Sequence, residues 1–138
     1  MKIFDCTTYY SEDLMLEVRL NILNKHVHKF VIVESKYSHS GKKKSLNFDI
    51  NKFKKFKDKI IYLTIENEPE NIEEILNGND ATAIKRMNSI KRIEQSYNYM
   101  MKGIEEADDD DLIILSDNDE IPNLVSNQFK KSKKNIII

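Results

Sequence analysis

One cysteine, no tryptophan, two prolines and three glycines are little punctuation for 138 residues, and each shortage removes a class of protein. The single thiol, Cys6, cannot close an intramolecular disulfide or build a cysteine-based zinc site, so nothing points to an oxidising compartment and Cys6 reads as a small buried residue. His26, His28 and His39 lack the i,i+4 spacing of a helical zinc pair. No Gly-x-Gly-x-x-Gly, Gly-x-x-x-x-Gly-Lys or Gly-x-Ser-x-Gly pattern occurs, which removes dinucleotide dehydrogenases, a P-loop and serine hydrolases. An excess of one charge is missing too. The 22 Lys+Arg and 23 Asp+Glu leave a net charge of -1, against a generally basic nucleic-acid binder and against a highly charged disordered chain. No window approaches 18 uninterrupted apolar residues, and Asp5 stands where a signal peptide needs an apolar run. The expectation is a chain without a transmembrane segment, cytoplasmic or peripheral at the inner face of a membrane, with no nucleic-acid partner.

What is present suits one domain with a core: 40% of the residues are hydrophobic and 33% charged. Residues 2–6 are a short apolar run feeding Thr7 and Thr8, a first strand. Ser11 followed by Glu12 and Asp13 reads as a helix cap with acids in the first turn, and Leu16, Leu20, Ile22 and Leu23 continue at helical spacing to about residue 25. Phe30-Val31-Ile32-Val33 is apolar without alternation, as in a strand covered on both faces, and it delivers Glu34 and Ser35 at its end. Residues 36–59 form a long basic excursion, with nine lysines against Asp49 and Asp58. Its Lys42-Lys43-Lys44 run reads as a solvated loop rather than a phosphate site. A third strand spans 59–65, and 66–80, with six acids and no base, reads as a loop with a helical turn. Ile84, Met87, Ile93, Tyr97, Met100, Met101 and Ile104 predict one long helix over 82–106 whose apolar stripe faces the core. After an acidic turn at 108–111, read as solvated, Leu112-Ile113-Ile114-Leu115 is the fourth strand. Strands alternating with helices predict an α/β fold with a mostly parallel, Rossmann-like sheet, in which ligands bind beyond the strand C-termini.

Asp117-Asn118-Asp119 lies at that edge. Asp-x-Asp alone reads more readily as a solvated turn, and its place directly after a buried strand reverses that preference in favour of a site. Two carboxylates one residue apart can turn toward one hard cation, which can bridge two phosphates and neutralise a leaving diphosphate. Glu120 either adds a third oxygen or points inward to a backbone amide.

Four blocks in order carry a resemblance. They are Ile3-Phe4-Asp5-Cys6 with the acidic-leucine stretch 12–20 that holds Glu17 and Arg19; Phe30 through Ser35 with Ser40-Gly41 and 44–48; 56–61; and 107–122, which ends in Ser116-Asp117-Asn118-Asp119-Glu120-Ile121-Pro122. Together they resemble glycosyltransferase family 17, the group that includes the β-1,4-mannosyl-glycoprotein β-1,4-N-acetylglucosaminyltransferases. The resemblance implies a GT-A-like fold and transfer of a sugar, N-acetylglucosamine, from a UDP-sugar donor to a glycan or glycolipid acceptor with inversion. It makes Asp117 and Asp119 the site of a divalent metal, Mn2+ or Mg2+, and of the diphosphate, with Glu120 adjoining. Asp5, Thr7, Glu34 and Ser35, at strand ends, become secondary donor-binding candidates. Residues 1–125 then form the nucleotide-sugar-binding half of a domain, and 126–138 a basic then apolar tail where the fold is expected to be cut short. Such a sheet would leave an edge open to self-association.

The sequence departs from the family pattern twice. No acid follows Glu120, so the general base of an inverting transfer is expected outside these residues, with Glu120 the weak candidate inside them. On the long helix the family's Gln-Arg pair is met by Ser96-Tyr97. The rival reading is a catalytically inactive, nucleotide-binding or interaction module. A nucleotidyltransferase would require a glycine- and basic-rich loop near the first strand, which is missing.

Overall fold

The computed structural model describes residues 1–75, 78 and 80–124, and the backbone of 136–137. Five strands, β1 (Ile3–Thr8), β2 (Lys29–Ser35), β3 (Ile60–Ile65), β4 (Leu112–Leu115) and β5 (Ile136–Ile137), form one sheet in the order β3-β2-β1-β4-β5. Every pairing is parallel, so the expected α/β architecture holds. The chain steps outward from β1 to β3 and then crosses back to β4. The direction of winding therefore reverses between β1 and β4, and the crevice outside their C-terminal ends is the place where open parallel sheets hold ligands. Of the tail 126–138, all but the backbone of β5 lies outside the described residues.

Alternation along β2 explains why its apolar run is unbroken. Phe30 and Ile32 face a core built with helix α1 (Asp13–Leu23) through Leu16, Leu20 and Leu23, and with Phe53 and Phe56 of the 3-10 helix Ile50–Phe56. Val31 and Val33 face the opposite core, with Phe4, Cys6, Met100 and Ile104. Helices thus cover both faces, as a sheet apolar on both sides requires. Burial pushes the Cys6 thiol up to about 12, helped by the charge of Asp5, so it is an inert core residue.

Three local expectations are corrected. Ser11 does not cap α1: the longer Glu12 side chain turns back to accept the N–H groups of Tyr10 (2.9 Å) and Ser11 (3.0 Å), and the helix begins at Asp13. At its other end Lys59 Nζ donates to the carbonyls of Asn24 (2.7 Å) and Val27 (2.8 Å), which stops the helix. The acidic turn is not wholly solvated, because buried Asp111 accepts the N–H of Lys2 (2.5 Å) and of Asp108 (2.9 Å). The long helix, α2 (Ala81–Met100), is shorter than predicted and continues only as a 3-10 turn, Met101–Gly103.

The predicted stripe also differs from expectation: Met87 on α2 is 48% exposed, and Met101, where the α-helix has given way to the 3-10 turn, is 55% exposed. Twenty residues make a helix of about 30 Å, against about 20 Å for a six-residue strand. The first half of α2 therefore passes the edge of the sheet and packs on the loop after β3. Asn88, buried, exchanges hydrogen bonds with the backbone of Glu73 (3.0 and 2.8 Å), and Lys91 and Gln95 donate to the carbonyls of Asn71 (2.7 Å) and Asn67 (3.2 Å). Residues 66–75 contain no helix, and the expected helical turn is a single one closed by the Ile72 N–H donating to the Pro69 carbonyl at 3.4 Å. Where α2 ends, Gly103 lies against Val31 so closely that a Cβ would overlap the valine methyls. Gly103→Ala is accordingly expected to destabilise the fold by about 1–3 kcal/mol through overpacking, measurable as a lowered urea midpoint.

Candidate functional site

At the C-terminal edge of the sheet β4 runs into Ser116-Asp117-Asn118-Asp119-Glu120. Side chains 112 and 114 are buried and Ser116 continues their direction, so its hydroxyl meets α1 while Asp117 turns to the α2 side. The backbone closes a tight turn, Glu120 N donating to the Asp117 carbonyl at 3.0 Å. Asp117, Asp119 and Glu120 have exposed side chains, and none forms a salt bridge among the described residues. Of the two readings of Glu120, the outward one is what the structure has. Asp117 Oδ1 accepts the Tyr97 hydroxyl at 3.3 Å. Burial and the neighbouring Asp117 charge raise the Tyr97 pKa, which keeps that hydroxyl a donor. Asn118, between the two carboxylates, is 7% exposed, with neither its amide nitrogen nor its oxygen partnered among the described residues. Among the described residues no three His, Cys, Asp or Glu side chains converge as a metal cage.

A cavity of about 370 Å³ opens over the ends of β1 and β2, and no residue of the 116–120 turn is among its walls. Thr8, Tyr10, Ser35, His39, Lys44 and Arg92 are among its walls, and Ser96 closes it on the α2 side. Its outer wall is the loop after β2, held by two acid-base contacts, one on buried Glu34 and one half-buried. Glu34 accepts Lys44 Nζ (2.5 Å), the N–H groups of Asn47 (2.8 Å) and Phe48 (3.0 Å) and the Tyr62 hydroxyl (2.8 Å). Arg92 forks onto Glu68 (2.7 and 3.0 Å) and donates to the His39 carbonyl (3.0 Å). Gly41, at φ +86°, lets that loop turn tightly against the Arg92 guanidinium. Lys44 is therefore half-buried on Glu34, while Lys42 and Lys43 are exposed, as expected of a solvated basic run.

The strand-end candidates separate. Ser35 lines the cavity, and its hydroxyl accepts the Tyr37 N–H at 3.0 Å. Glu34 is spent on shaping the loop. Thr7 is buried, its hydroxyl 3.4 Å from the Thr8 carbonyl, and Thr8 takes the place at the cavity wall. Asp5 is buried and both its oxygens are held by Arg19, through Nε and Nη2, each at 2.8 Å. The same guanidinium reaches Ser116 Oγ (2.6 Å) and the carbonyls of Asp117 (2.7 Å), Asn118 (3.4 Å) and Glu120 (3.1 Å).

Against known protein families, residues 1–135 match glycosyltransferase family 17. The chain belongs to glycosyltransferase family 17. No curated protein and no solved structure matches it. Membership makes the chain a glycosyltransferase by family, with a sugar donor and a sugar acceptor as the general partners, and among the described residues no helix is long and apolar enough to cross a membrane. Tyr97, on the long helix, donates its hydroxyl to the first carboxylate of the motif. Sequence reasoning passed over Arg19 and the loop residues of the cavity. Arg19 was within reach, because it falls on the buried stripe of Leu16, Leu20 and Leu23, where a charge demands an acidic partner.

Proposed function

We propose that this family 17 chain binds a UDP-sugar with the nucleoside in the cavity over β1 and β2 and the diphosphate at Asp117 and Asp119. From there it transfers N-acetylglucosamine with inversion to a hydroxyl of a glycan or glycolipid. The observation that carries the reading is the step made by α2: Ser96 lines the cavity, and the next residue, Tyr97, hydrogen-bonds Asp117. In this reading the ligand extends from the cavity past Tyr97 to the two carboxylates. The donor set fits a hard divalent ion, Mn2+ or Mg2+, since it offers two exposed carboxylates without a protein cation, leaving the other positions to phosphate and water oxygens. Such an ion, when bound, neutralises charge on the leaving diphosphate. Thr8, Ser35 and Ser96 supply hydroxyls to the nucleoside, and Glu120, exposed beside the motif, is the carboxylate available to take the acceptor proton.

Removing the phenol hydroxyl in Tyr97→Phe takes away the group that orients Asp117. It is expected to weaken metal-dependent donor binding by about 10–100-fold, the usual effect of losing an outer partner of a ligand, with the thermal midpoint unchanged. Incubation with manganese and either UDP-N-acetylglucosamine or GDP-mannose, following nucleotide release, tests the reading directly. Release of UDP alone is expected. Binding without release supports a donor-binding module instead, and no binding of either donor removes the reading.

A further inference from the structure

Arg19 is fully buried and has no donor to spare, yet four of its six contacts go to residues of the motif turn, about a hundred positions away in sequence. We propose that Arg19 is a positioning residue that holds the Asp117–Asp119 turn in its ligand-binding geometry, with Asp5 serving to cancel its charge. The inference rests on the reading of Asp117 and Asp119 as the diphosphate and metal carboxylates. Nη1 draws the carbonyls of Asp117, Asn118 and Glu120 toward one point inside the fold. With the carbonyls turned in, the side chains of Asp117 and Asp119 are turned out, and both are exposed. Nη2 adds Ser116 Oγ, which itself donates to the Glu120 carbonyl at 3.1 Å, so the turn is fastened at both ends.

The planar fork is what this task requires, because a lysine ammonium cannot face a carboxylate on one edge and several carbonyls on another. An uncompensated guanidinium beneath two metal-binding carboxylates would repel the cation they are to hold. Asp5, paired at Nε and Nη2, removes that repulsion and leaves the outward carboxylates their full negative charge.

Two variants test the proposal. Arg19→Lys keeps the charge and loses the fork, and Asp5→Leu with Arg19→Met removes the pair while filling its space, a replacement that buried ion pairs often tolerate. Ser116→Ala, which removes one fastening, serves if either fails to fold. The first readout is hydrogen exchange of the amides of 116–120 in metal-free protein, compared with those of β1 and β2. The second is titration with manganese chloride in the presence of UDP. In folded variants the turn amides are expected to exchange at least about tenfold faster while the strand amides keep wild-type rates. Manganese affinity is expected to fall about 10–100-fold. Wild-type exchange at 116–120 and wild-type manganese affinity in a folded variant overturn the proposal. Should the wild-type chain itself show no UDP-dependent manganese binding, the functional reading fails, and unchanged exchange would then refute the bracing role separately.

Discussion

Asp5→Asn is expected to lower the stability of the fold by about 3–5 kcal/mol, the cost of leaving one partner of a buried ion pair uncompensated. The carboxylate lies with Arg19 between β1, α1 and the turn after β4, and water reaches neither side chain. An asparagine there still accepts a hydrogen bond, so the loss is one of charge balance more than of packing. Against a total stability of about 5–15 kcal/mol for a domain of this kind, such a loss removes from about a fifth to all of the margin. Chemical denaturation should show a lowered midpoint with an unchanged slope. A midpoint at the wild-type value would mean that the pair is solvated and that its place in the core has been misread.

Asp117→Asn has the opposite profile. The side chain is exposed and without a salt bridge, so stability should stay within about 0.5 kcal/mol of wild type, as for most surface substitutions. Metal-dependent donor binding should fall by more than the roughly 10–100-fold expected for the outer partner Tyr97. Asparagine keeps an oxygen of similar reach and loses the charge, which is what a hard cation selects. Asp110→Asn, in the acidic turn at the opposite edge of the sheet, should leave donor binding unchanged. Equal effects at Asp110 and Asp117 would indicate that only overall charge matters.

Those two aspartates illustrate what a sequence discloses. The strands were legible because their apolar runs are covered on both faces, fully in β1 and β2 and partly in β3 and β4, and the place of Asp117 followed from its position after β4. Their local order is encoded in neighbouring residues. The role of Glu34 was not legible, since its partners lie 10 to 28 positions away and meet it only once the loop after β2 has folded back. The cavity was hidden for the same reason: its walls come from β1, β2, the loop and α2, brought together by contacts such as Arg92 with Glu68. The apolar stripe on α2 misled because a helix longer than its sheet exposes part of any stripe it carries. Arg19 lies between these cases. Its place on a buried helix face announces a partner, while the identity of that partner and the link to the motif turn depend on parallel pairing of β1 with β4.

The central claim is that the turn after β4 and the cavity over β1 and β2 form one donor site, and calorimetric titration of the 138-residue chain with UDP-N-acetylglucosamine, with and without manganese, tests it most directly. The account predicts binding that is strengthened by manganese in the wild-type chain and loses that strengthening in Asp117→Asn. A folded wild-type chain that binds the donor equally well without manganese, or not at all, would contradict it.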